Sequence, residues 1–445
     1  HFGSSARSRP CESLQGSSLC CNILRAMSEP RTPRVGIVGA GVAGLVCARE
    51  LEKAGAVVEV FEAADRVGGR VQTDDVEGFK LDVGFQILLD AYPEVRRQLN
   101  LPALKLRGFA PGAVLADKGH LSIVAHPLKC PSKLLQTLRT AISWGLWSSC
   151  KDIVRLVWMA SGWLFKSPYS SLMQTNELET TDDFLKRLQL SPGIVQKFLR
   201  PFFEAIYVSP LEQQSASLFQ FVLRMLAVGG AMLPAGGMRA IPQQLAASLR
   251  GPIRLSTPVE GVRPGALQVH GEWVEYDTVV IAADWPAASK LINLPLASHT
   301  RSATWYFALP GQPPVQDPLI VLHSYDSQPQ KQILQSRVVN IGFPSVVQSS
   351  YAPPGMALAA VTIMGEPASE DWVRTQVECA LGVDCAAWRH LRTYDIAFHQ
   401  PAQVPLHQSQ LAPAAIDGIF CCGDHRSYPT LDGAMLSGRR VAEAL

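Results

Sequence analysis

The sequence carries little charge, and its basic and acidic residues nearly balance. Only 18% of the 445 residues are charged, and 40 Lys and Arg against 38 Asp and Glu give a formal net charge of +2. Because there is no excess of positive charge for a phosphate backbone, we expect no nucleic acid among the partners. The hydrophobic content of 47% is typical of a globular protein, and the length predicts two interleaved domains.

The ten cysteines lack the spacing of a disulfide framework, and no Cys-x-x-Cys or Cys/His cluster has zinc-site spacing. We therefore predict no metal site and infer a reducing compartment. Cys421 and Cys422 are adjacent, which is a poor geometry for a disulfide, so we interpret them as packing residues. A second Gly-x-Gly-x-x-Gly after a strand is also absent, which argues against a built-in NAD(P)H site.

No segment is long and apolar enough to predict a membrane-spanning helix. The Trp-rich stretch 141–165 comes nearest, but Lys151, Asp152 and Arg155 interrupt it. Three interpretations stay open for this stretch: a helix pair in the core of the second domain, a peripheral contact with a membrane surface, or the wall of a channel for an apolar substrate.

Residues 1–33 differ from the rest of the chain, being rich in Ser and Arg, poor in acids and without a periodic pattern. This composition is typical of an organellar transit peptide, and the missing basic amphipathic helix favours a plastid over a mitochondrion. We therefore expect a chloroplast location, with the plain tail of a cytoplasmic protein as the alternative.

What the chain does have is the pattern of a dinucleotide-binding turn. An apolar run at 35–38 predicts a strand, and Gly39, Gly41 and Gly44 follow it with Gly-x-Gly-x-x-Gly spacing. The first glycine allows the sharp turn, the second a close approach of backbone to a pyrophosphate, and the third close packing of the next helix. That helix, predicted at about 42–53, directs free N–H groups and a partial positive charge at the phosphates.

A second parallel strand is predicted over 56–61, and Glu62 ends it. A carboxylate at this point is placed to accept hydrogen bonds from ribose hydroxyls, and it would repel a 2′-phosphate. A strand, a helix, a second strand and a terminal acid in this order make the glycine pattern a strong indication of a nucleotide site.

The next residues, Asp65-Arg66-Val67-Gly68-Gly69-Arg70, distinguish flavin from nicotinamide. Their paired glycines and arginine resemble the second phosphate-side motif of the flavin-containing amine oxidase superfamily, which includes monoamine oxidases, protoporphyrinogen oxidase and phytoene desaturase. The chemistry agrees, because two positions without side chains let backbone N–H groups reach the cofactor and Arg70 supplies a fixed cation.

Three later segments resemble the same superfamily: 81–86 (Leu-Asp-Val-Gly-Phe-Gln), 233–238 (Leu-Pro-Ala-Gly-Gly-Met) and the closing segment 417–440. The resemblance implies that the first runs along the flavin ring and that Asp424 binds ribitol hydroxyls or orders water at the phosphates. It also implies that the backbone around Ala434 approaches the pyrimidine edge. Cys421 and Cys422 directly precede Gly423-Asp424, the wrong place for a covalent flavin cysteine, so we expect FAD to be bound without a covalent bond.

The resemblance thus implies a set of cofactor-binding residues spread along the chain. These are Gly39, Ala40, Gly41, Val42, Ala43, Gly44, Glu62, Ala63, Gly68, Gly69, Arg70, Gly84, Phe85, Gln86, Val259, Gly423, Asp424, Gly433, Ala434 and Met435. Gln86, which can bond ring heteroatoms or substrate, and His399, a candidate proton carrier at the end of a predicted strand, are the candidate catalytic residues. The alternative for each is a purely structural role.

The predicted fold is α/β, with a Rossmann-type FAD-binding domain (34–90, 233–290 and 415–445) interleaved with a substrate domain of mixed sheet and helices (91–232 and 291–414). The resemblance, which covers nearly all of the chain beyond residue 33, implies an FAD-dependent oxidoreductase. Such an enzyme transfers a hydride from a hydrophobic organic substrate to flavin N5 and passes the electrons to oxygen or a quinone.

The substrate stays open at this point. An amine is one alternative, and a carotenoid or other isoprenoid, which a desaturase or isomerase would accept, is the other; the motifs fit a less-characterised, plastid branch of the superfamily. A flavin-free lipid-binding escort of the Rab GDP-dissociation-inhibitor type is the alternative from another class of protein. Glu62, the Gly68-Gly69-Arg70 motif and the closing motif together argue against the escort. Nothing in the sequence indicates an oligomeric state.

Overall fold

The computed structural model describes residues 32–126, 129–144, 151–152, 154–156, 158–159, 162, 166–173, 179–293, 298–323, 336–403, 414–416 and 418–445. The predicted leader, 1–33, lies almost wholly outside these ranges, as does part of the Trp-rich stretch 141–165. None of the described helices is long and apolar enough to cross a bilayer.

A six-stranded sheet, which we call the cofactor sheet, is assembled from three distant parts of the chain. In spatial order its strands are Ile253–Arg254, Val57–Phe61, Arg34–Val38, Thr278–Ile281, Ile419–Cys421 and Ala414–Ile416. The first five are parallel and the last is antiparallel. Val35, Ile37 and Val38 are buried, as expected for the apolar centre of a parallel sheet with both faces covered.

A seven-stranded mixed sheet, the large sheet, lies in the second domain. Its spatial order is Arg389–Pro401, His299–Pro310, Met356–Gly365, Ser336–Gly342, Ile320–His323, Gly112–Asp117 and His120–Ala125. Only the pairing of Ile320–His323 with Gly112–Asp117 is parallel. The smaller sheets are formed by Val259–Arg263, Ala266–Val269 and Glu272–Glu275, by Thr73–Val76 and Phe79–Asp82, and by Leu88–Leu89, Ala231–Leu233 and Arg107–Gly108.

Helices cover the cofactor sheet and both faces of the large sheet, where Glu370–Leu381 packs on one face and Arg200–Tyr207 on the other. The α-helices that the structure describes with bounds are Val42–Lys53, Pro93–Gln98, Leu134–Ser143, Thr181–Arg187, Pro192–Ile194, Arg200–Tyr207, Ala216–Val228, Ala240–Ala246, Trp285–Leu291, Pro344–Val347, Glu370–Leu381 and Leu431–Ala444. The last of them packs against the first, and Gly438 makes this approach possible, because a Cβ there would lie 2.2 Å from the Ala43 carbonyl oxygen.

One helix differs from its sequence pattern. The run 192–207 predicts a continuous helix, but a π-helical turn, Val195–Leu199, separates Pro192–Ile194 from Arg200–Tyr207. Pro201 explains the break, since it has no backbone N–H to give and its ring clashes with the carbonyl of the preceding turn. The predicted fold class, a Rossmann-type domain interleaved with a mixed-sheet and helical domain, is confirmed; the exact domain boundaries stay a prediction.

Candidate active site

The two glycine motifs lie against each other at the carboxyl ends of the cofactor-sheet strands. Gly41 and Gly68 form a parallel bridge, and the Gly68 N–H donates to the Ala40 carbonyl at 2.8 Å. The Glu62 carboxylate lies in the same turn, where it accepts hydrogen bonds from the Ala40 N–H at 2.7 Å and the Ala64 N–H at 2.9 Å. The predicted ribose acid is therefore held directly beside the predicted pyrophosphate turn.

The three glycines of the turn have different surroundings. A Cβ on Gly39 would lie 2.9 Å from the backbone of Ala282, and one on Gly44 would lie 2.1 Å from the Gly39 carbonyl oxygen, so both are needed for packing. A Cβ on Gly41, in contrast, would meet no atom of the described residues within 4 Å, and Gly41 lines a large cavity. Gly41 also leaves the helix Val42–Lys53 without a side-chain cap. This open cradle at an uncapped helix N-terminus fits a cofactor pyrophosphate.

Arg70 is fixed by partners from the far end of the chain. Its Nη2 forms a salt bridge of 2.6 Å with Asp424, and its Nη1 donates to the His399 carbonyl oxygen at 3.0 Å. Burial alone would raise the pKa of Asp424, but the Arg70 guanidinium overrides this effect and holds the pKa below its usual range. The ion pair therefore stays charged and presents an oriented guanidinium to the cavity.

The segment after Asp82 is anchored on both sides. Gln86 donates from Nε2 to the Arg70 carbonyl at 2.9 Å and to the Val83 carbonyl at 3.2 Å, so its side-chain oxygen is the atom available to a ligand. Phe85 packs edge-on against Phe109, with ring centroids 6.3 Å apart. Both Phe85 and Gln86 line the cavity, whereas Gly84 does not and instead packs against Ile396.

Asp82 is a buried residue that holds neighbouring segments together, a role that the sequence analysis did not predict. Its carboxylate accepts hydrogen bonds from the Thr73 hydroxyl, the Met238 N–H and the Tyr351 hydroxyl. Burial raises the pKa of Asp82 to about 6 even though these three donors act to lower it. The side chain thereby joins the segment that precedes Gln86 to the Leu-Pro-Ala-Gly-Gly-Met segment, which the sequence pattern had shown only as two separate motifs.

At the closing helix, Leu431–Ala444, the structure separates three residues that the sequence analysis grouped. Ala434 lines the cavity, but Gly433 and Met435 do not. The Gly433 N–H donates to the Thr430 hydroxyl at 2.9 Å, and a Cβ on Gly433 would lie 2.1 Å from the Tyr428 carbonyl oxygen. Met435 points into the core and is fully buried. Helical periodicity explains this result, because three consecutive residues of a helix cannot share one face.

His399 lies inside the strand Arg389–Pro401 and not at its end, which corrects the expected strand boundary. Its Nδ1 is 2.8 Å from the Ser302 hydroxyl, and the residue lines the cavity. Burial, and then the positive charge of Arg70, lower the pKa of His399 to about 4. The imidazole is therefore neutral at pH 7 and offers hydrogen bonds there, but it is too weak a base to hold a proton at that pH.

One cavity of about 1610 Å³ connects these groups. The predicted site residues that line it are Gly39, Gly41, Val42, Ala43, Glu62, Ala63, Gly68, Gly69, Arg70, Phe85, Gln86, Val259, His399, Gly423, Asp424 and Ala434. The predicted site residues that do not line the cavity are Ala40, Gly44, Gly84, Gly433 and Met435. Since pockets for single small ligands are about 300–1,000 Å³, the cavity has room for a cofactor and a substrate together.

Beyond the cofactor end the cavity becomes an apolar chamber. Its wall includes Phe109, Leu156, Met159, Phe198, Phe202, Leu223, Leu226, Met232, Ile320, Leu322 and Ile396. Phe198 and Phe202 stack with their centroids 5.6 Å apart, four residues apart across the π-turn and the following helix. The chamber therefore lies between the helices 192–228 and the large sheet.

Asn340 is a polar exception in this chamber that the sequence analysis missed as a site residue. It lines the cavity on the strand Ser336–Gly342 and is buried, and its side-chain oxygen has no hydrogen-bond partner among the described residues. Its position in a charge-free run gave no signal. The strand register pairs Asn340 with Leu322, which also lines the chamber, and this pairing identifies Asn340 as a site residue.

Comparison with known proteins agrees with this architecture. Residues 42–445 match the sequence model of a family described as flavin containing amine oxidoreductase. The chain belongs to this family. The prediction of an FAD-dependent oxidoreductase is thereby confirmed at the level of the family, and flavin is the family's cofactor.

Individual relatives of this flavoenzyme are distant. A 4,4'-diapophytoene desaturase (4,4'-diaponeurosporene-forming) of Staphylococcus aureus (strain MRSA252) is 24% identical over 286 residues, which are 58% of this chain and 56% of the desaturase. The match thus spans little more than half the length of that relative.

Among solved structures, an oxidoreductase from Methanosarcina mazei has a TM-score of 0.69 at 18% identity and covers 92% of this chain and 100% of its own. A wild-type putrescine oxidase bound to putrescine has a TM-score of 0.66 at 17% identity and covers 93% and 98%. At such low identity these two structures establish the fold alone, and the reaction has to be argued from the site.

Proposed function

We propose that this flavoenzyme oxidises an uncharged hydrophobic substrate of carotenoid or other isoprenoid type, as a desaturase or isomerase, with non-covalently bound FAD and with oxygen or a quinone as electron acceptor. The observation that carries the proposal is the continuity between the glycine cradle and the large apolar chamber. The similarity to a diapophytoene desaturase supports the same substrate class.

The charges that line the cavity argue against an amine substrate. Among the described residues its carboxylates are Glu62, Asp284 and Asp424 at the cofactor end and Asp90 at the chamber end. Asp90 accepts the Gly230 N–H at 2.7 Å, and the Lys129 ammonium binds the adjacent Gly229 and Ala227 carbonyls. In the chamber, an ammonium substrate would therefore find Lys129 beside Asp90, the one carboxylate it could approach. Burying the ammonium group without a partner would cost on the order of several kcal/mol.

The residues of the chain then have defined tasks. FAD, when bound, supplies the hydride acceptor. Glu62 holds the adenosine ribose, and the cradle at Gly41 with the N-terminus of helix Val42–Lys53 binds the pyrophosphate. Arg70, oriented by Asp424, adds a positive charge, and the Gln86 oxygen accepts a hydrogen bond from ring or substrate. The apolar chamber excludes water from the reacting carbon.

An absorbance spectrum of the purified protein is the first test. We expect the bands of oxidised flavin, and acid precipitation should release the flavin into the supernatant, because no cysteine among the described residues lines the cavity. Anaerobic titration then identifies the substrate class: we expect phytoene, offered in detergent micelles, to bleach the flavin, and benzylamine and putrescine to leave it oxidised. Bleaching by an amine and not by phytoene would overturn the proposal, as would a colourless protein that FAD does not reconstitute.

A further inference from the structure

The helix Leu134–Ser143 is amphipathic in the opposite sense from most helices of a globular protein. Its packed side carries threonines: the Thr137 hydroxyl accepts the Ala125 N–H at 3.1 Å, and the buried Thr140 hydroxyl donates to the Ile123 carbonyl at 3.0 Å. These bonds tie the helix to the strand His120–Ala125 at the edge of the large sheet. The apolar residues therefore have to point the other way.

The outward side of this helix is a stripe of large apolar residues. Leu135 is 72% exposed and Ile142 is 59% exposed, and Leu134 and Leu138 are exposed as well. At about 100° per residue, these four side chains share one arc of roughly 100°. The helical residues after 150 add Val154 and Trp158, which are four positions apart and also exposed, Trp158 by 74%. We call these six residues the apolar face.

The apolar face lies on, or packs beside, segments that line the cavity. Val124, Ala125 and His126, at the end of the strand on which helix Leu134–Ser143 packs, line the cavity, and so do Leu156 and Met159, which alternate with Val154 and Trp158. The stretch 154–159 thus has one side in the chamber wall and the other side in solvent, and the helix Leu134–Ser143 packs on a strand whose last residues line the cavity.

The segment of sequence that carries the apolar face is strongly basic. Between residues 126 and 173 the sequence has six basic residues, Lys129, Lys133, Arg139, Lys151, Arg155 and Lys166, and one acidic residue, Asp152. Asp152 is buried and accepts hydrogen bonds from the Ser191 backbone and hydroxyl, while Lys133 pairs with Asp317 at 2.6 Å. Because the chain as a whole is nearly neutral, this segment concentrates positive charge where the apolar residues are exposed.

We propose that the apolar face docks on the surface of an anionic lipid bilayer. An exposed apolar stripe with an interfacial tryptophan and a basic surround is the composition of a helix that lies in the headgroup region. A protein partner would need a matching acidic rim, whereas an anionic leaflet provides negative charge over its whole area. Docking would bring segments that line the apolar chamber against the lipid, which would let a hydrophobic substrate pass from the bilayer to the chamber without crossing bulk water. The docking itself does not depend on the proposed reaction.

Vesicle co-sedimentation tests the proposal with the full chain and without any substrate. The vesicles are pure phosphatidylcholine and phosphatidylcholine with 30% phosphatidylglycerol. We expect the protein to bind the anionic vesicles at least tenfold more tightly than the neutral ones, and 0.5 M salt to weaken the binding. We expect the triple variant Leu135→Ser, Leu138→Ser, Ile142→Ser to reduce the bound fraction at least tenfold. The single variant Trp158→Ser should reduce it at least fivefold.

Matched controls come from exposed apolar residues on the cofactor side of the molecule. Leu255→Ser and Trp273→Ser, at residues about 40% exposed, should leave vesicle binding unchanged. Circular dichroism melting curves show that each variant is folded. The proposal is overturned if the protein stays in the supernatant with anionic vesicles, or if the triple variant sediments like the parent. It is also overturned if light scattering shows a dimer that only the triple variant dissociates, with no vesicle binding, because the apolar face would then bind a second copy.

Discussion

At the scale of single residues, we expect nucleotide selection to depend on the Glu62 carboxylate. It already accepts two backbone N–H groups, from Ala40 and Ala64, and these bonds hold it in the turn where the sequence pattern predicts a ribose. A carboxylate held in this way is a strong acceptor for hydroxyl groups and an unfavourable neighbour for a phosphate.

We expect Glu62→Gln to weaken FAD binding by about 10- to 100-fold, since a charge-assisted hydrogen bond contributes about 1.5–3 kcal/mol. The size of the side chain is kept, but Gln has a single acceptor oxygen, so one of the two backbone N–H groups loses its partner and we also expect stability to fall by about 1 kcal/mol. Titration of the apoprotein with FAD, followed by flavin fluorescence, measures the change. Glu272→Gln, on an exposed carboxylate of a small sheet, is the control and should bind FAD like the parent. Unchanged affinity in Glu62→Gln would remove Glu62 from the site.

Three histidines whose pKa is lowered by the fold make it sensitive to acid. Burial is the main cause that lowers the pKa of His323, His399 and His425 to about 4. Between pH 6.5 and pH 4 the unfolded chain therefore binds protons at these residues that the folded chain does not bind, and the free energy of unfolding falls as the pH is lowered. Asp82 and Asp432, whose pKa burial raises to about 6, act in the opposite sense, because their contribution is present at low pH and is lost as the pH rises through 6.

His323 isolates the histidine contribution. It is buried and does not line the cavity, and neither ring nitrogen has a hydrogen-bond partner among the described residues. We expect the parent to lose about 2–3 kcal/mol more unfolding free energy than His323→Phe between pH 7.5 and pH 4.5, from a pKa difference of about two to three units. Urea unfolding at the two pH values measures this difference. An identical loss in both proteins would show that His323 titrates normally.

At the scale of elements, the strand–turn–helix unit at 34–53 separates packing from binding within one motif. Gly44 has the Gly39 carbonyl oxygen against it, while Gly41 opens into the cavity. A methyl group at Gly44 forces the helix away from the sheet, whereas one at Gly41 only occupies space that a cofactor needs.

We therefore expect Gly44→Ala to destabilise the fold by about 3 kcal/mol or more and Gly41→Ala to change stability by less than about 1 kcal/mol. Gly41→Ala should nevertheless bind FAD at least tenfold more weakly. Thermal melts of the two apoproteins and FAD titrations give both quantities, and each variant serves as the control for the other. Equal melting temperatures with equal FAD affinities would contradict the assigned roles.

The sequence predicted the helices and strands best where the signal spans only a few residues. The strand Arg34–Val38, the helix Val42–Lys53 and the strand Val57–Phe61 follow the sequence reading to within one residue, because glycine spacing and apolar periodicity act over a few residues. The break between Pro192–Ile194 and Arg200–Tyr207 was not predicted, since a proline can end a helix or, as here, be accommodated by a π-turn that the surrounding packing supports.

At the scale of the molecule, the site is closed by the two ends of the chain. Arg70 pairs with Asp424, and the final helix packs on the first through Gly438. A cofactor that touches residues from both ends binds the folded chain and not the unfolded one, so it adds to the stability of the whole.

We expect removal of FAD to lower the melting temperature in a single cooperative transition. At free FAD 100-fold above its Kd the stabilisation is about 2.7 kcal/mol, and it grows with the FAD concentration. Differential scanning calorimetry of holo- and apoprotein over an FAD series measures it, and Glu62→Gln should need correspondingly more FAD for the same shift. A melting temperature that does not respond to FAD would contradict a site shared by the two ends.

Local pattern was enough to predict the nucleotide-binding unit and its terminal acid, and short motifs carried the resemblance to the flavin family, because turns and motifs depend on residues within short segments. Only the packing of distant segments could show that Gly433 and Met435 turn inward, that Asp424 fixes Arg70, that Asn340 lies in the chamber and that Leu135 lies outside. The direction in which a side chain points, and the charge it meets there, depend on neighbours hundreds of positions away, and a linear pattern does not contain that information.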